Sequence, residues 1–301
     1  MSVAAERRAI LHPLREAVEE DVHDADLAAR AAAGDRAALG ALVARHQAWI
    51  YGMALRMTRD PTGAADLAQE ALVRVVTRVA QFAGKAGFRT WAYRIVVSCF
   101  LDAKRSRGER FFQSFARYGE LLEELPLSEL EVPEGTDREL LVEDAKVGCM
   151  LGMLLCLTRE QRIAFILGVI FEVPSAVAGV VLELTPAAYR KRLERARADL
   201  GAFMNDQCGL VDPSNPCRCP QKTNALVREG WVDPRSLRFV DRKVHLAQVR
   251  APALSQHLEA LIARSPDELF REHATSGLAP GPDFAAELDR LFGAPELPHQ
   301  G

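Results

Sequence analysis

The sequence lacks several features that define large classes of protein. Its 301 residues contain no apolar run of about 18–20 residues, so no membrane-spanning helix is expected. The first twenty residues mix charges of both signs with apolar residues and contain no signal-peptide core, so we expect a cytoplasmic protein. The chain also lacks a Ser-His-Asp order, a glycine-rich phosphate loop and a His-x-x-x-His pair. An enzyme is therefore not expected.

Strand-like alternation is scarce as well, and alanine, leucine, arginine and glutamate dominate. This composition predicts an all-α fold. With 49% apolar residues the chain can form real cores, and its length predicts two or three folded units. Without an export signal, the six cysteines are expected to be reduced, and either buried or metal-bound.

The formal net charge of -3 conceals an uneven distribution. Residues 120–144 contain ten acids and one base, whereas residues 186–197 contain five bases and one acid. Such asymmetry indicates a basic face for nucleic acid and an acidic segment with a separate role.

The first half of the chain predicts a four-helix domain over residues 24–106, after an N-terminal extension of residues 1–23. Gly34 ends the first helix and Asp35 caps the second. The third and fourth helices are expected over about 62–82 and 89–104. Residues 107–140 are acidic and contain Pro126 and Pro133, which predicts a mostly extended linker.

The second half predicts a helix-turn-helix domain over residues 141–204. Its helices are expected at about 140–157, 159–171, 175–182 and 186–203. Thr158 and Gln161 form a capping box. Ser175 and Thr185 are predicted N-caps, and the last two helices are separated by a turn of two or three residues.

The helix beginning at Thr185 is the predicted DNA reader. Tyr189, Leu193 and Leu200 fall at helical spacing and should face inward. Small and basic residues cover the remaining surface, where arginines could read guanine edges or bind phosphates. They are Ala187, Ala188, Arg190, Lys191, Arg192 and Arg195. A solvated basic helix without a DNA-binding role is the alternative.

The fourth helix combines an aromatic side chain with basic ones, which suits single-stranded nucleic acid. A second interpretation of Trp91 is that it simply belongs to the core. The predicted contact residues of this helix are Arg89, Trp91, Arg94, Ser98, Lys104 and Arg105.

Four segments together resemble bacterial RNA polymerase sigma factors of the extracytoplasmic-function class. They are GDRAALGALVARH, AADLAQEALVRVV, FRTWAYRIVVSCFLDAKR, and the stretch from Leu157 to Leu200, in the order and spacing of that family. The resemblance covers about residues 24–203. It implies two helical sigma domains, core RNA polymerase and promoter DNA as partners, and an anti-sigma factor as a further possible partner.

The resemblance also implies roles for particular residues. Asp66, Gln69 and Glu70 would contact the clamp helices of core polymerase. The helix from Trp91 to Arg105 would open and hold the -10 promoter element, and the helix from Thr185 would read the -35 element. The acidic linker would thread the polymerase channel, where its acids either mimic nucleic acid or are ordinary solvated charge.

Two departures from the family pattern bear on these roles. Ser98 stands where the family usually has asparagine, which puts one -10 contact in doubt. Ala176-Val177-Ala178 stands where a glutamate usually precedes Ile-Ala, which could weaken a cap. Two other functions therefore stay open: a stand-alone helix-turn-helix regulator that never engages polymerase, and an adaptor or metal sensor that kept a degenerate sigma scaffold.

Residues 205–301 are predicted to form a C-terminal extension. Cys208, Cys217 and Cys219 lie close together among turn-forming residues and could bind zinc or copper as thiolates. His245 or His257 could supply a fourth ligand. A thiol redox role and plain reduced cysteines are the alternatives, while Cys99, Cys149 and Cys156 are expected in the core. Helices of the extension, such as residues 251–263, are expected to dock onto the sigma domains.

Overall fold

The computed structural model describes residues 18–129, 137–241, 265–273 and 278–293. Regular structure over these residues is helical apart from two isolated β-bridges, so the predicted all-α fold is confirmed. No helix within these ranges is long and apolar enough to cross a membrane. His245, His257 and the predicted helix of residues 251–263 lie outside the described residues.

Thirteen α-helices are described, and we number them in chain order. They are α1 (Val18–Ala32), α2 (Arg36–Thr58), α3 (Pro61–Thr77), α4 (Phe88–Asp102), α5 (Arg107–Phe112), α6 (Phe115–Glu124), α7 (Arg138–Cys156), α8 (Arg159–Phe165), α9 (Ser175–Leu182), α10 (Pro186–Gln207), α11 (Cys219–Arg228), α12 (Pro266–His273) and α13 (Phe284–Gly293). A 3-10 turn, Val79–Gln81, follows α3, and a π-helical segment, Ile166–Ile170, extends α8.

Helices α1 to α4 pack around one apolar core. Asp35 caps α2 as predicted, since its carboxylate accepts the N–H of Ala38 at 3.0 Å. Across the core, the ring of Trp49 on α2 stacks on that of Tyr93 on α4, with centroids 4.0 Å apart.

A buried carboxylate also ties α1 to this core. Asp24 is fully buried, and its oxygens lie 2.7 Å from Nε of Arg45, 3.2 Å from Nε2 of His46 and 3.2 Å from Nε of Arg89. Burial would raise the pKa of Asp24, but the hydrogen bonds and charges of His46 and Arg45 outweigh it and lower the pKa. The Asp24 cluster thus fixes how α1, α2 and α4 meet.

The acidic segment is helical where the sequence predicts an extended linker, and that prediction is wrong for residues 107–124. Ser106 begins α5 with a capping box: its hydroxyl accepts the N–H of Glu109, and the Glu109 carboxylate accepts the N–H of Ser106. Helix α6 then buries an apolar stripe that outweighs the acidic composition. That stripe is Tyr118, Leu121 and Leu122.

Helices α7 to α10 form the second helical unit and contain the predicted helix-turn-helix. The capping box of Thr158 and Gln161 and the N-cap at Thr185 are both confirmed. The prediction that Ser175 caps α9 is wrong, because Pro174 occupies the N-cap position. The Ser175 hydroxyl instead accepts a hydrogen bond from the guanidinium of Arg190 at 3.3 Å.

The turn between α9 and α10 depends on a close backbone approach. Glu183 has a left-handed backbone with φ of 57°, and the N–H of Leu184 donates to the carbonyl oxygen of Gly179 at 2.9 Å. A side chain at position 179 would place its Cβ 2.8 Å from the carbonyl oxygen of Leu184. Glycine is therefore needed there for α10 to cross α9 closely.

The described part of the extension packs across both helical units. Helix α11 lies on α7, α12 lies on α10, and α13 lies on α2. The buried carboxylate of Asp144 on α7 accepts the N–H groups of Phe239 and Val240, at 2.7 and 3.0 Å. On α2, the side-chain oxygen of Gln47 accepts the N–H of Ala285 at 3.0 Å.

Candidate functional site

The polar face predicted on α3 is exposed to solvent. Asp60 caps the helix by accepting the N–H of Gly63 at 3.1 Å, and the opposite face packs into the core through Ala64, Ala68 and Ala71. Three predicted contact residues therefore point outward: Asp66, Gln69 and Glu70.

Val73 completes this face and was missed by the sequence reasoning. It lies one helical turn after Gln69 and Glu70, and 54% of the residue is exposed. The signal was available in the spacing, because 66, 69, 70 and 73 all fall on one side of a helix. We call Asp66, Gln69, Glu70 and Val73 the α3 face. The α3 face is therefore a polar surface with one exposed apolar side chain on the same side of the helix.

Helix α4 presents its predicted basic residues unequally. Arg89 is buried, and its guanidinium donates to the carboxylate of Asp24 at 3.2 Å, while burial lowers its pKa to about 10. Arg89 is therefore directed into the protein and is not presented to DNA in this structure. Its position is a consequence of the Asp24 cluster, which the sequence pattern did not reveal.

Arg94 and Trp91 lie nearer the surface of α4. Arg94 is exposed, and its guanidinium is 2.5 Å from the carboxylate of Glu183 in the helix-turn-helix. The ring of Trp91 is half-buried and packs against Phe82 and Phe88, with centroids 5.6 and 5.4 Å apart. Trp91 thus belongs partly to the core while keeping one side open.

The remaining predicted residues of this region are exposed. Ser98 lies on α4, and its hydroxyl is 3.4 Å from the carboxylate of Asp102. Lys104 and Arg105 follow the end of the helix. The cationic character of this region is therefore concentrated after α4 rather than along it.

Helix α10 presents its basic residues as the sequence predicts. Its buried face comprises Tyr189, Leu193, Ala196, Leu200 and Met204, and the Tyr189 hydroxyl donates to the carbonyl of Ala164 at 3.1 Å. The opposite face is exposed at Ala187, Ala188, Arg190, Lys191 and Arg195, and half-buried at Arg192. Small residues at the amino end followed by arginines and lysine give the shape and charge that a major groove accommodates.

The two basic helices are brought together by α9, which packs against both α4 and α10. The ion pair of Arg94 with Glu183 spans the same junction. In the described arrangement, one side of α4 is therefore covered by the first helix of the helix-turn-helix.

A second junction joins the acidic segment to α4 and α8, and sequence reasoning missed it. Arg159 donates to both carboxylate oxygens of Glu109, at 2.9 and 2.8 Å, and to carbonyl oxygens at the end of α4, including that of Ala103 at 2.5 Å. Buried Arg162 lies 3.1 Å from Glu109. Burial alone would raise the pKa of Glu109, but these arginines and the N–H of Ser106 bring it to about 2.

The extension also contacts the helix-turn-helix unit through α12. The guanidinium of Arg197 on α10 lies 2.8 Å from the carboxylate of Asp267 on α12. The ring of Phe270 packs edge-on against Phe165 with centroids 5.1 Å apart. The docking predicted for the extension is thus visible at α12.

The three cysteines of the extension lie near one another, and Cys208 and Cys217 form a parallel β-bridge. All three are free thiols of intermediate exposure. Within the described ranges, no three histidine, cysteine or acidic side chains are already arranged in a metal-coordinating geometry. Cys99 is buried as predicted, and Cys149 and Cys156 are half-buried and pack against the core.

Comparison with known proteins points to one family. The Sigma-70 region 2 family matches residues 42–110. The chain is 32% identical over 187 residues to RNA polymerase sigma factor CnrH of Cupriavidus metallidurans, a match covering 60% of this chain and 95% of CnrH. It is 31% identical over 182 residues to the ECF sigma factor SigE of Mycolicibacterium smegmatis, covering 58% of this chain and 65% of SigE.

Two further matches differ in how much of the relative they cover. The chain is 34% identical over 87 residues to the sigma-H factor of Pseudomonas aeruginosa, which covers 29% of this chain and 45% of that factor. The chain therefore spans less than half of that relative. A solved structure of CnrH in complex with the cytosolic domain of CnrY matches with a TM-score of 0.42 and 27% identity, covering 61% of this chain and 97% of that one.

Proposed function

This chain belongs to the extracytoplasmic-function class of RNA polymerase sigma factors, and from that premise we propose that it binds core RNA polymerase and directs promoter-specific initiation. Sigma factors are initiation factors rather than enzymes. The proposal assigns the α3 face to core polymerase, the α4 region to the -10 element and α10 to the -35 element.

The observation that carries the proposal is the α3 face. Asp66, Gln69 and Glu70 are exposed on one side of α3, and the exposed side chain of Val73 follows them one turn later on the same side. A regulator that only binds duplex DNA has no need of such a surface beside its helix-turn-helix. The exposed basic face of α10 supplies the DNA-binding part of the same proposal.

Promoter binding would require α4 and α9 to separate. In the described arrangement α9 covers one side of α4, and Glu183 holds Arg94. An exposed ion pair of this kind contributes about 0–1 kcal/mol, so it is a weak obstacle. We propose that binding to core polymerase separates the two helices, which exposes α4 to the opened -10 element.

Transcription by purified core polymerase tests the proposal. The chain added to core should give initiation at specific start sites on promoter templates, and a D66A/Q69A/E70A variant should lose both core binding and transcription. A matched variant, E139A/E160A/E229A, removes three acids elsewhere and should keep both activities. Failure of the unmodified chain to bind core would contradict the proposal.

The rival function, a stand-alone helix-turn-helix regulator, predicts the reverse result. Such a protein would bind its duplex site alone and leave core inactive. A degenerate scaffold acting as an adaptor would bind neither core nor promoter DNA. Measuring core binding, duplex binding and transcription on one preparation separates the three possibilities.

We further propose that the extension regulates α10. Helix α12 lies on α10, and Asp267 pairs with Arg197 on the helix that would read the -35 element. A D267N variant should change duplex affinity without changing core binding, whereas D233N, in a loop of the extension, should change neither. Unchanged affinity in D267N, and in a chain shortened after Asn205, with and without metals, would remove this part of the proposal.

An anti-sigma factor is a further proposed partner. Val73 is an exposed apolar side chain of the α3 face, and a protein that covered it would compete with core polymerase. The test is to measure whether a protein that binds this chain prevents it from binding core polymerase. The D66A/Q69A/E70A variant should lose that protein as well as core polymerase.

A further inference from the structure

Four cysteine side chains from two distant parts of the chain line one small cavity. Cys149 comes from the middle of α7, whereas Cys208, Cys217 and Cys219 come from the beginning of the extension. The cavity has a volume of about 20 Å³. That is space for about one water-sized occupant. The other side chains around it are largely apolar: Leu122, Met150, Met153, Phe203 and Leu210.

The thiols interact with one another as a group. Burial raises the pKa of all four, that of Cys149 to about 12 and that of Cys217 to about 11. Beyond burial, each of the six pairs among the four sulfur atoms interacts electrostatically, so that ionising one thiol raises the pKa of another. The four thiols therefore line one cavity and influence one another, although in the described structure they are not yet arranged in a metal-coordinating geometry.

The loop that carries Cys208 and Cys217 is held in place before any ligand binds. The N–H of Gly209 donates to the carbonyl oxygen of Cys217 at 3.1 Å, and the N–H of Cys217 donates to the carbonyl oxygen of Gln207 at 3.2 Å. The Asn215 side chain donates to the carbonyl oxygen of Cys208 at 3.0 Å. A side chain at 209 would drive its Cβ into the Cys217 carbonyl oxygen, so only glycine allows this approach.

Backbone and side-chain charge around the cavity favour anionic sulfur. The backbone N–H groups of Leu210 and Val211 lower the pKa of the Cys208 thiol against the effect of burial. Cationic side chains act on the other thiols and also favour their thiolates. They are Arg59 on Cys149, Lys222 and Arg218 on Cys217, and Lys146 on Cys219.

We propose that Cys149, Cys208, Cys217 and Cys219 bind one Zn²⁺ ion as four thiolates. Zinc takes four sulfur ligands in a closed tetrahedral site, and a dication in the cavity reverses the penalty that burial places on each thiolate. Each thiol loses one proton to solvent on binding, and four thiolates with one Zn²⁺ carry a net charge of −2 beside the four cations. Binding would require the cysteine side chains to rotate about their Cα–Cβ bonds until the four sulfur atoms surround the ion.

This site has a structural consequence that three cysteines of the extension alone would not have. Cys149 belongs to the helix-turn-helix unit, so the ion fastens the extension to α7. The fourth ligand is then neither of the two histidines suggested by the sequence. The inference does not depend on the proposed sigma-factor function.

Metal analysis of the full-length protein, purified without a polyhistidine tag, tests the site. Elemental analysis by mass spectrometry should find one zinc per chain. Variants C149S, C208S, C217S and C219S should each bind zinc at least about tenfold more weakly in competition with a chromophoric chelator, because loss of even an outer-shell partner costs about 10–100-fold. Replacement of zinc by Co²⁺ should give the visible spectrum of a tetrahedral four-thiolate centre.

Matched controls separate ligand loss from general damage. The control variants are C156S and C99S. Cys156 lies on the same helix as Cys149, seven residues later, and Cys99 is a buried residue of α4. Both should retain one zinc, as should H245A and H257A. Far-UV circular dichroism confirms that each variant is folded. In the unmodified protein, chelation of zinc should make four additional thiols reactive toward a thiol reagent, a measurement that needs no substitution.

Several results would overturn the inference. One is an unmodified protein that binds no zinc even after incubation with excess Zn²⁺, and another is an unmodified protein that binds copper in place of zinc. Unchanged zinc affinity of the C149S variant would overturn it equally. Since none of these measurements involves polymerase or DNA, failure here is distinguishable from failure of the proposed function.

Discussion

The helices α4 and α10 both carry arginines, but they present their charge differently. On α4, Arg89 is buried against Asp24 and Arg94 is paired with Glu183. On α10, Arg190 and Arg195 project from an exposed face, opposite the buried one. The number of arginines in a helix therefore does not measure the charge available to nucleic acid, because acidic residues from other helices determine how much of it reaches the surface.

Replacing one arginine by alanine in each helix should give the largest difference in the free energy of unfolding. We expect R89A to lower the free energy of unfolding by about 3–5 kcal/mol, because it leaves the buried Asp24 carboxylate without one of its cations. R195A should change it by no more than about 0.5 kcal/mol, as is usual for surface positions. Urea unfolding measures both. Equal effects of the two variants would contradict the distinction between the helices.

The junction that holds the end of α4 should show its strength as a pH dependence. E109Q should lower the free energy of unfolding by about 2–3 kcal/mol at neutral pH, because charged hydrogen bonds to Arg159 and Arg162 are lost. Folding lowers the pKa of Glu109 from 4.5, the usual value for glutamate, to about 2. The stabilisation is therefore complete above pH 4.5 and is lost as the pH falls toward 2.

Urea unfolding of both proteins at a series of pH values measures this effect. The difference between wild type and E109Q should be largest above about pH 5 and should shrink as the pH approaches the pKa of the folded state. E194Q, in which an exposed carboxylate of α10 is changed, should parallel the wild type throughout. A difference that stays constant from about pH 2 to 7 would contradict the role assigned to the ionised Glu109.

The exposed face of α10 should separate base contacts from phosphate contacts. On duplexes carrying the selected -35 sequence and its single-base variants, R190A should lose about 1–3 kcal/mol of discrimination at one position. K191A should weaken binding to all sequences alike and lower the salt slope by about one. Arg228→Ala on α11 is the control. Identical behaviour of R190A and K191A would show that α10 contacts only the backbone of DNA.

The ion pair between α4 and the helix-turn-helix should give the smallest effect. E183Q removes an exposed pair and should change the free energy of unfolding by at most about 1 kcal/mol. The release of Arg94 should strengthen binding of single-stranded DNA by up to about fivefold, as measured by fluorescence anisotropy. E172Q, which breaks the exposed pair with Arg271, should leave this affinity unchanged.

The helices themselves were largely predictable because their signals are local. Asp35, Thr158 with Gln161, and Thr185 each cap the helix that the spacing of apolar residues predicts. The same local reasoning failed for residues 107–124, where prolines located after α6 and a high acidic content obscured an apolar stripe. It also failed at Ser175, whose hydroxyl is engaged by Arg190 instead of the backbone.

The site was predictable only in part. The outward faces of α3 and α10 follow from helical periodicity. The same periodicity places Val73 on the outward face of α3. The burial of Arg89 and the contacts of Glu109 depend on helices that meet across long stretches of sequence, and no local pattern encodes them. No local pattern encodes the position of Cys149 beside the cysteines of the extension either, because about 60 residues separate Cys149 from Cys208.

The side chain of Lys222 on α11 crosses to the end of α6 and donates to the carbonyl oxygens of Leu122 and Leu125. The last carbonyls of a helix have no partners within it, so this ammonium group takes the place of a C-terminal cap. A chain shortened before residue 222 would leave these carbonyls to solvent and loosen the last turn of α6. Any altered transcription by such a chain would then report on the acidic segment as well as on the missing tail, and Lys222→Met in the intact chain separates the two.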